Sequence, residues 1–492
     1  MKKYIVFVMI SILIITSCSD YLEVTPRSFK GIVGTTLLDA QKSVDGIYQF
    51  LRGPYRKSGF AAMPFSILEV PTGVMKPAPN TQDAAKEQAY VLNFDDTNGD
   101  ANVLWRTYYF GIEAANVAIA GIPQITDPDL TEDKAAMLLG EAHFLRAYFY
   151  FQLVQIFGDI PMNVTPTQSS EDGKLPKSSV QDIYEQVIVP DLQNAESAGL
   201  PLTSRSEGRV SQGAAKALLA KVYLTMAGSP LNQTDKYALA AEKALDVINS
   251  GSYSLFQDGG GVSWITKLRE PEFDLQEEHI FMVQYSENVV SSFSEYFTPL
   301  GGTSITNMLI HFGGMEPEVD FYNSYDPADR RGENQGFFFD SFDGVSFNLS
   351  VYKYFYDEFR EEEQGHGIKN FPLIRYADVL LTYAEAQNEA GSANTVAYDA
   401  LNGIRTRAGL SPVAGLSQGD FREEVWRQRV WEFPVEGGLI WFDMKRTMQV
   451  FNGTGFDSFV GATLPNGSTL SEVNIYFPIP ANEVLLNPNL AD

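Results

Sequence analysis

Cysteine is almost absent from this chain: a single residue, Cys18, in 492. No disulfide can form within one molecule, so stability has to come from burial, for which 44% hydrophobic residues are ample. Basic residues are scarce beside acidic ones, 36 against 62, and no Lys/Arg-rich stretch concentrates them. Nucleic acid is a poor partner on that ground, because duplex binding rests on neutralising phosphates. Histidine is rare too, with His143, His279, His311 and His366 scattered and none paired in H-E-x-x-H spacing, so zinc hydrolysis has no ligand set. There is no G-x-S-x-G elbow, phosphate loop or dinucleotide fingerprint. Acids are plentiful, but a glycosidase needs two of them held at a defined separation, and the run Glu361, Glu362 and Glu363 reads as a solvated face. The expectation is a protein without catalysis, metal or cofactor.

No apolar run reaches the ~20 residues of a membrane-spanning helix. The greasiest, "YIVFVMISILII" at residues 4–15, has 12 and follows Lys2 and Lys3, the pattern of a signal peptide over residues 1–17. The lone cysteine comes directly after it, in "ITSC". These residues resemble the lipobox of bacterial lipoproteins, which implies that Cys18 becomes the first residue of the mature chain and carries lipid to a membrane. Removing two lysines and no acid takes the net charge from −26 to −28.

What the chain has in quantity is helix pattern. In "EDKAAMLLGEAHFLRAYFYFQLVQIFGDIP", Leu138, Ala142, Leu145, Phe149, Leu153 and Ile156 make one stripe, and Phe144, Tyr148 and Phe151 a second face, predicting a helix buried on more than one side. Gly158, Asp159 and Pro161 end it. His143 within it reads as a packed residue with one hydrogen-bond partner. Ser178 and Gln181 are spaced as a capping box that opens the next helix. "SQGAAKALLAKVYLTMAGS" with "KYALAAEKALDVINSGSY", and "YADVLLTYAEAQNEAG" with "VAYDALNGIRTRAGL", repeat the hairpin pattern with small residues at close-packing positions. Tetratricopeptide-like pairs carry this signature, although starts near 134, 211 and 375 are too uneven for a regular solenoid. The fold expected is mostly α, a single domain over 18–492 whose helical scaffold spans roughly 35–250 and 371–450, interrupted by a loop-rich insertion over roughly 251–370. Residues 54–100 are similarly rich in turn formers, and "HIFMVQYS" alternates as a strand would. Long structured loops on a rigid scaffold are where binding is expected.

Several motifs in order then resemble the SusD/RagB family of outer-membrane lipoproteins. They are the C-S-D-Y-L start; Trp105, Tyr108, Ile112 and Asn116 as W-x2-Y-x3-I-x3-N; "GEAHFLRAYFYFQLVQIFGDIP"; "AAKALLAKVYL"; "IRYADVLLTYAEAQNEAG"; "LNGIRTRAGL"; "WFDMKR"; and "FPIPANEVLLNPNL". One departure is local: the family usually shows Glu-Gly-His/Arg before the "WFDMKR" position, and this chain reads "RQRVWEFPVEGGLIWFDMKR". The resemblance implies a lipoprotein anchored in the outer membrane and exposed at the cell surface. It further implies binding of oligosaccharides or polysaccharides and delivery to a TonB-dependent, SusC-like transporter. A competing reading is a transporter-associated lid or protein-interaction adaptor with peptide cargo.

Sugar recognition needs flat apolar faces for C–H surfaces and a few amides or charged groups for hydroxyls. On that chemistry the expected glycan-binding residues are Trp264, Tyr296, Phe297, His311 and Phe312 in the insertion, with Asn80 and Asn98 from the first loop region. Trp105 reads as core from its register with Tyr108, Ile112 and Asn116. "FDDTNGD" has Asp96, Asn98 and Gly99 placed as in a calcium loop but Phe94 and Trp105 at its first and twelfth positions, so no calcium is expected there.

Overall fold

The computed structural model describes residues 34–56, 63–79, 82–203, 208–299, 305–307, 313–356 and 367–491. Cys18 and the signal segment lie outside them, as do Glu361 to Glu363 and His366. Among the described residues the helices begin with α1 (Leu37–Tyr48), α2 (Ala84–Tyr90), α3 (Gly99–Gly121), α4 (Glu132–Phe157), α5 (Val180–Ile183), α6 (Val189–Ser197), α7 (Gln212–Ala227) and α8 (Lys236–Asn249). Shorter α9 (Trp264–Arg269), α10 (Phe293–Phe297) and α11 (Val319–Tyr322) follow. The series closes with α12 (Tyr376–Ala390), α13 (Thr395–Arg407), α14 (Gln418–Glu432), α15 (Leu439–Thr447) and α16 (Ala481–Leu486).

The helix α4 is the central pillar. Thr131 caps it by accepting from the Lys134 N–H, and Glu132 and Asp133 suit the positive end of its dipole. From Phe144 on, every residue is buried, so the two apolar faces of the sequence become a helix enclosed on all sides. Gly158 ends it at φ +75°, a conformation that suits glycine, while its N–H still bonds Val154. α3 lies close alongside because Gly111 carries no side chain: a Cβ there would stand 2.4 Å from the Phe149 ring. The next helix is capped by Ser179, which accepts from the Asp182 N–H, and not by Ser178. Ser178 instead belongs to β3 (Lys177–Ser178), paired with β2 (Ile160–Pro161), which moves the expected cap by one residue. The helix widens into a π turn over Tyr184–Ile188, and α6 resumes at Val189 with Pro190 in its first turn, where its missing N–H has no partner to lose.

Neighbouring packing runs α1 on α3, α3 on α4, α4 on α6, α6 on α7 and α7 on α8. α8 then packs on α12, and α12 on α13 and α14, so helices far apart in sequence close into one array. The strands between are short and pair in twos. β4 (His279–Val283) runs antiparallel to β8 (Phe371–Arg375), placing the "HIFMV" part of the "HIFMVQYS" stretch as a strand. β1 (Met75–Pro77) pairs with β5 (Met315–Pro317), joining the first loop region to the insertion. β6 (Phe338–Phe342) and β7 (Val345–Val351) form a hairpin. Its turn, Asp343 at φ 48° and Gly344 at φ 79°, has the two positive φ values of the tight hairpin type. This hairpin gathers Ile305, Phe339, Tyr352, Phe355 and Tyr356 into a small second core.

The seam between insertion and helices is ionic and buried. Arg375 pairs with Glu278, Glu432 and Glu436; Arg407 pairs with Glu278 and Glu432; Arg331 pairs with Asp329 and Glu432; and Lys353 pairs with Glu436. The "RQRVWEFPVEGG" segment thus supplies Glu432 and Glu436 to this network. Its turn is held by Glu69, which accepts from the Val435 and Gly438 N–H groups. A second set, Lys221, Arg429 and Arg446 with Asp378, Asp443 and Glu385, ties α7, α12, α14 and α15 together.

Candidate functional site

The loop aromatics expected to meet sugar face inward. Trp264 is 1% exposed, edge-on to Phe337 at 5.8 Å and covered by the Arg407 guanidinium at 4.3 Å. Tyr296 is buried with its hydroxyl 3.2 Å from the Lys86 ammonium, and Phe297 is buried and stacked on Tyr354. Asn98 is the N-cap of α3: its Oδ1 accepts from the Ala101 N–H and its Nδ2 donates to the Ala85 carbonyl. A ring without a solvent-facing side cannot stack on a pyranose, and an amide with both ends bonded has nothing to offer a hydroxyl. The expectation for these four is therefore corrected. Asn80, His311 and Phe312 lie outside the described residues. Trp105, read as core, is 3% exposed and packs edge-on to Phe157 at 5.0 Å.

Aromatic and polar side chains reach solvent together on the other face of α3. Asn102, Arg106, Tyr109, Phe110 and Glu113 recur at helical spacing along a groove of about 610 Å³, which Trp105 borders from below. This volume is within the range of ordinary ligand sites. Phe110 is 53% exposed, with the Arg106 guanidinium 5.7 Å from its ring centre and Phe50 at 6.3 Å behind it. Opposite stand residues 161–175 and the C-terminal helix α16, which contributes Asn482 and Glu483. Burial raises the Glu483 carboxyl above its usual range, partly offset by Arg106 and Trp105.

The loop forming one wall is pinned from inside the protein. Tyr150 donates its hydroxyl proton to the Asn163 carbonyl and accepts from the Asn163 N–H, both at 2.7 Å. Asn116 Nδ2 donates to the Asn163 and Thr165 carbonyls, and Arg146 Nη1 donates to Asn116 Oδ1 and to the Val164 carbonyl. Arg146 is held in turn by both oxygens of Asp191, whose Oδ1 also stands 2.6 Å from His143 Nδ1, the single partner expected for that histidine. Glu113 accepts from the Thr167 N–H with one oxygen and from the Thr167 hydroxyl with the other, each at 2.9 Å. The opposite wall is tied down by Ala481 N–H to the Asp96 carbonyl, and by the Asn487 and Asn489 amides to the Leu175 and Lys174 carbonyls. The result is a pre-formed trough with an aromatic floor and amide and charged rims.

This fold is shared with solved structures. A SusD superfamily protein from Parabacteroides distasonis is 31% identical and superposes with a TM-score of 0.85, covering 92% of this chain and 98% of that one. The chain belongs to the SusD family. Two family models match it, one described as the SusD family over residues 340–492 and one as starch-binding associating with the outer membrane over residues 20–224. SusD-like protein P2 of Formosa agariphila is 28% identical across 100% of this chain and 99% of that protein. A more distant likeness of fold is to surface glycan-binding protein A from Bacteroides thetaiotaomicron in complex with laminarihexaose. It is 19% identical, with a TM-score of 0.75 over 93% of this chain and 99% of that one. The mostly helical architecture is that of the SusD superfamily. Among the described residues no helix is long and apolar enough to cross a membrane.

The α3 groove face was not among the sequence expectations. Its signal, Asn102, Arg106, Tyr109 and Glu113 at steps of four, three and four, sits in the same helix as the Trp105–Asn116 motif but on another side.

Proposed function

We propose that this SusD-family chain binds an oligosaccharide or polysaccharide in the α3 groove, as a lipoprotein anchored through Cys18 at the outer-membrane surface. We propose further that it hands its cargo to a TonB-dependent, SusC-like transporter. The observation that carries the binding reading is the trough itself. A solvent-facing Phe110 and a partly exposed Tyr109, whose hydroxyl is held by the Pro161 carbonyl, can stack on sugar C–H faces, while Asn102, Arg106 and Asn482 line the same groove and can meet hydroxyls. The starch-binding family description, and a related fold seen with laminarihexaose, support it. Glu113 supports capture over hydrolysis, because both of its oxygens are committed to Thr167 and it is not free as a base or nucleophile.

The test is affinity electrophoresis of the soluble form, starting at Ser19, against plant, fungal and host polysaccharides. Retardation by at least one polymer, weakened by Phe110→Ala, with no new reducing ends after prolonged incubation, is the expected result. Mobility unchanged by every polymer would overturn the glycan reading and favour a lid with other cargo. The anchor is tested separately: Cys18→Ser is expected to move the protein from the membrane to the soluble fraction, and unchanged membrane association would remove it.

A further inference from the structure

On the far side of α16 lies a second hollow, of about 900 Å³, that the reading above does not use. Phe157 and Gly158 at the end of α4 line it below, Asp159 and Gln181 on one side, and Tyr476 and Ile479 on the other. Of its rings Phe157 and Phe477 are buried, while Tyr476 and Phe94 are partly exposed beside the polar Asp159, Lys177 and Gln181. The two spaces share Leu490 as a lining residue. Glu483 and Leu486 of α16 face the groove while Val484 faces the hollow. An aromatic contact links the two linings: Trp105, bordering the groove, meets Phe157, bordering the hollow, edge-on at 5.0 Å. A helix with its side chains is roughly 10–12 Å thick, so the two spaces lie within reach of one extended chain but not of a disaccharide.

Charge narrows the class of chain. The groove holds Arg106 and Lys174 against Glu113 and Glu483, and the hollow holds Lys177 against Asp96 and Asp159. Cations do not outnumber acids in either, and the whole chain is strongly negative, so a sulfated or uronate polymer meets repulsion and finds no cationic cluster to offset it. We infer that the groove and the hollow are two subsites of one track for a long, neutral glycan, with α16 as the partition between them. This rests on the glycan reading and adds chain length and charge to it.

The experiment uses the polymer that most retards the soluble protein, beginning with soluble starch and laminarin, cut by partial acid hydrolysis into a ladder from disaccharide to octasaccharide. Calorimetric affinities are taken for the wild type, for Phe110→Ala in the groove and for Gln181→Trp, which places bulk at the exposed rim of the hollow without disturbing a buried contact. The expected result is an affinity gain of at least about tenfold from the short to the long end of the ladder, the scale on which joined weak sites reinforce one another. Gln181→Trp should abolish that gain and leave the disaccharide unaffected, whereas Phe110→Ala should weaken every length. Carrageenan, a sulfated polymer, should not retard the protein. A plateau at short length, an equal effect of Gln181→Trp on all lengths, or preference for the sulfated polymer overturns this inference and leaves glycan binding standing. Absence of binding by the wild type to any glycan removes both.

Discussion

Phe110 is a large apolar side chain left open on a helix that buries most of its others, and little is lost by truncating it in the free protein. Phe110→Ala is therefore expected to leave the melting temperature unchanged while weakening glycan binding by about fivefold, equivalent to ~1 kcal/mol of lost stacking. Calorimetric titration beside a thermal melt checks both halves. Lys445 is the opposite case, a charge with almost nothing to meet. It is fully buried, donates to the Gln155 carbonyl in the last turn of α4, and lies 4.7 Å from the Tyr476 ring centre. Burial without a carboxylate partner pushes its pKa down to about 7. The unfolded lysine, near 10.4, binds its proton more readily than the folded one. Between these values the unfolded state is favoured, so this group's penalty is full at and below neutrality and fades as pH rises toward 10. Lys445→Met is expected to be more stable than the wild type at pH 7 by about 1–3 kcal/mol, after the lost hydrogen bond is set against the removed desolvation. The margin should vanish at high pH, as denaturant titrations across that range would show.

Elements inherit such local balances as walls and caps. The wall of residues 163–167 is held to α3 and α4 by Asn116, which joins the Arg146–Asp191 pair to two loop carbonyls. Asn116→Ala takes the named donor from the exposed Thr165 carbonyl, leaves the Asn163 carbonyl to Tyr150 alone and the Arg146 Nη1 to the Val164 carbonyl alone, at a cost of about 0.5–1.5 kcal/mol. Glycan affinity is expected to fall with it although Asn116 reaches no ligand, because the trough loses its fixed edge; the readouts are the unfolding free energy and the same calorimetric titration. How far each element was legible follows from what sequence pattern records. α4 was plain because apolar residues on two faces leave no alternative to burial. The cap of α5 slipped by one because Ser178 and Ser179 are each followed, three residues on, by a side chain that suits a cap, and only the β2–β3 pairing decides between them. The insertion's aromatics misled for a physical reason: a loop long enough to need anchoring buries rings in its own core, as Phe339 and Phe355 show, and composition does not say which way a ring points. The groove was hidden because one helix carries two patterns, and Trp105, Tyr108, Ile112 and Asn116 account for α3 without asking what its other face does.

At the scale of the whole molecule, the insertion and the helices that flank it are held as one body by charge buried at their seam. Glu432 on α14 accepts from Arg331 of the insertion, from Arg375 at the end of β8 and from Arg407 on α13. Burial alone would raise its pKa, but the Arg407, Arg375 and Arg331 guanidiniums outweigh that and hold the carboxylate well below its usual range. Asp443 in the second network is depressed in the same way, with Arg429 and Lys221 outweighing its burial. Folded pKa values below the unfolded ones make these groups stabilising above the ordinary carboxylate range, near pH 4, and the contribution is lost as pH falls through it toward the folded values. The wild type is therefore expected to lose stability steeply on acidification. Glu432→Gln removes one anion from among three buried guanidiniums and leaves positive charge uncompensated, a change that typically costs about 3–5 kcal/mol. Its effect should be large at neutral pH and shrink in acid, where the wild-type carboxylate is itself being protonated. Because the residue sits where insertion and helices meet, the loss should appear as a lower melting temperature of a single transition followed by tryptophan fluorescence and by circular dichroism. Two separated transitions in the wild type, or a Glu432→Gln melt indistinguishable from it at neutral pH, would show that the seam does not couple the two parts.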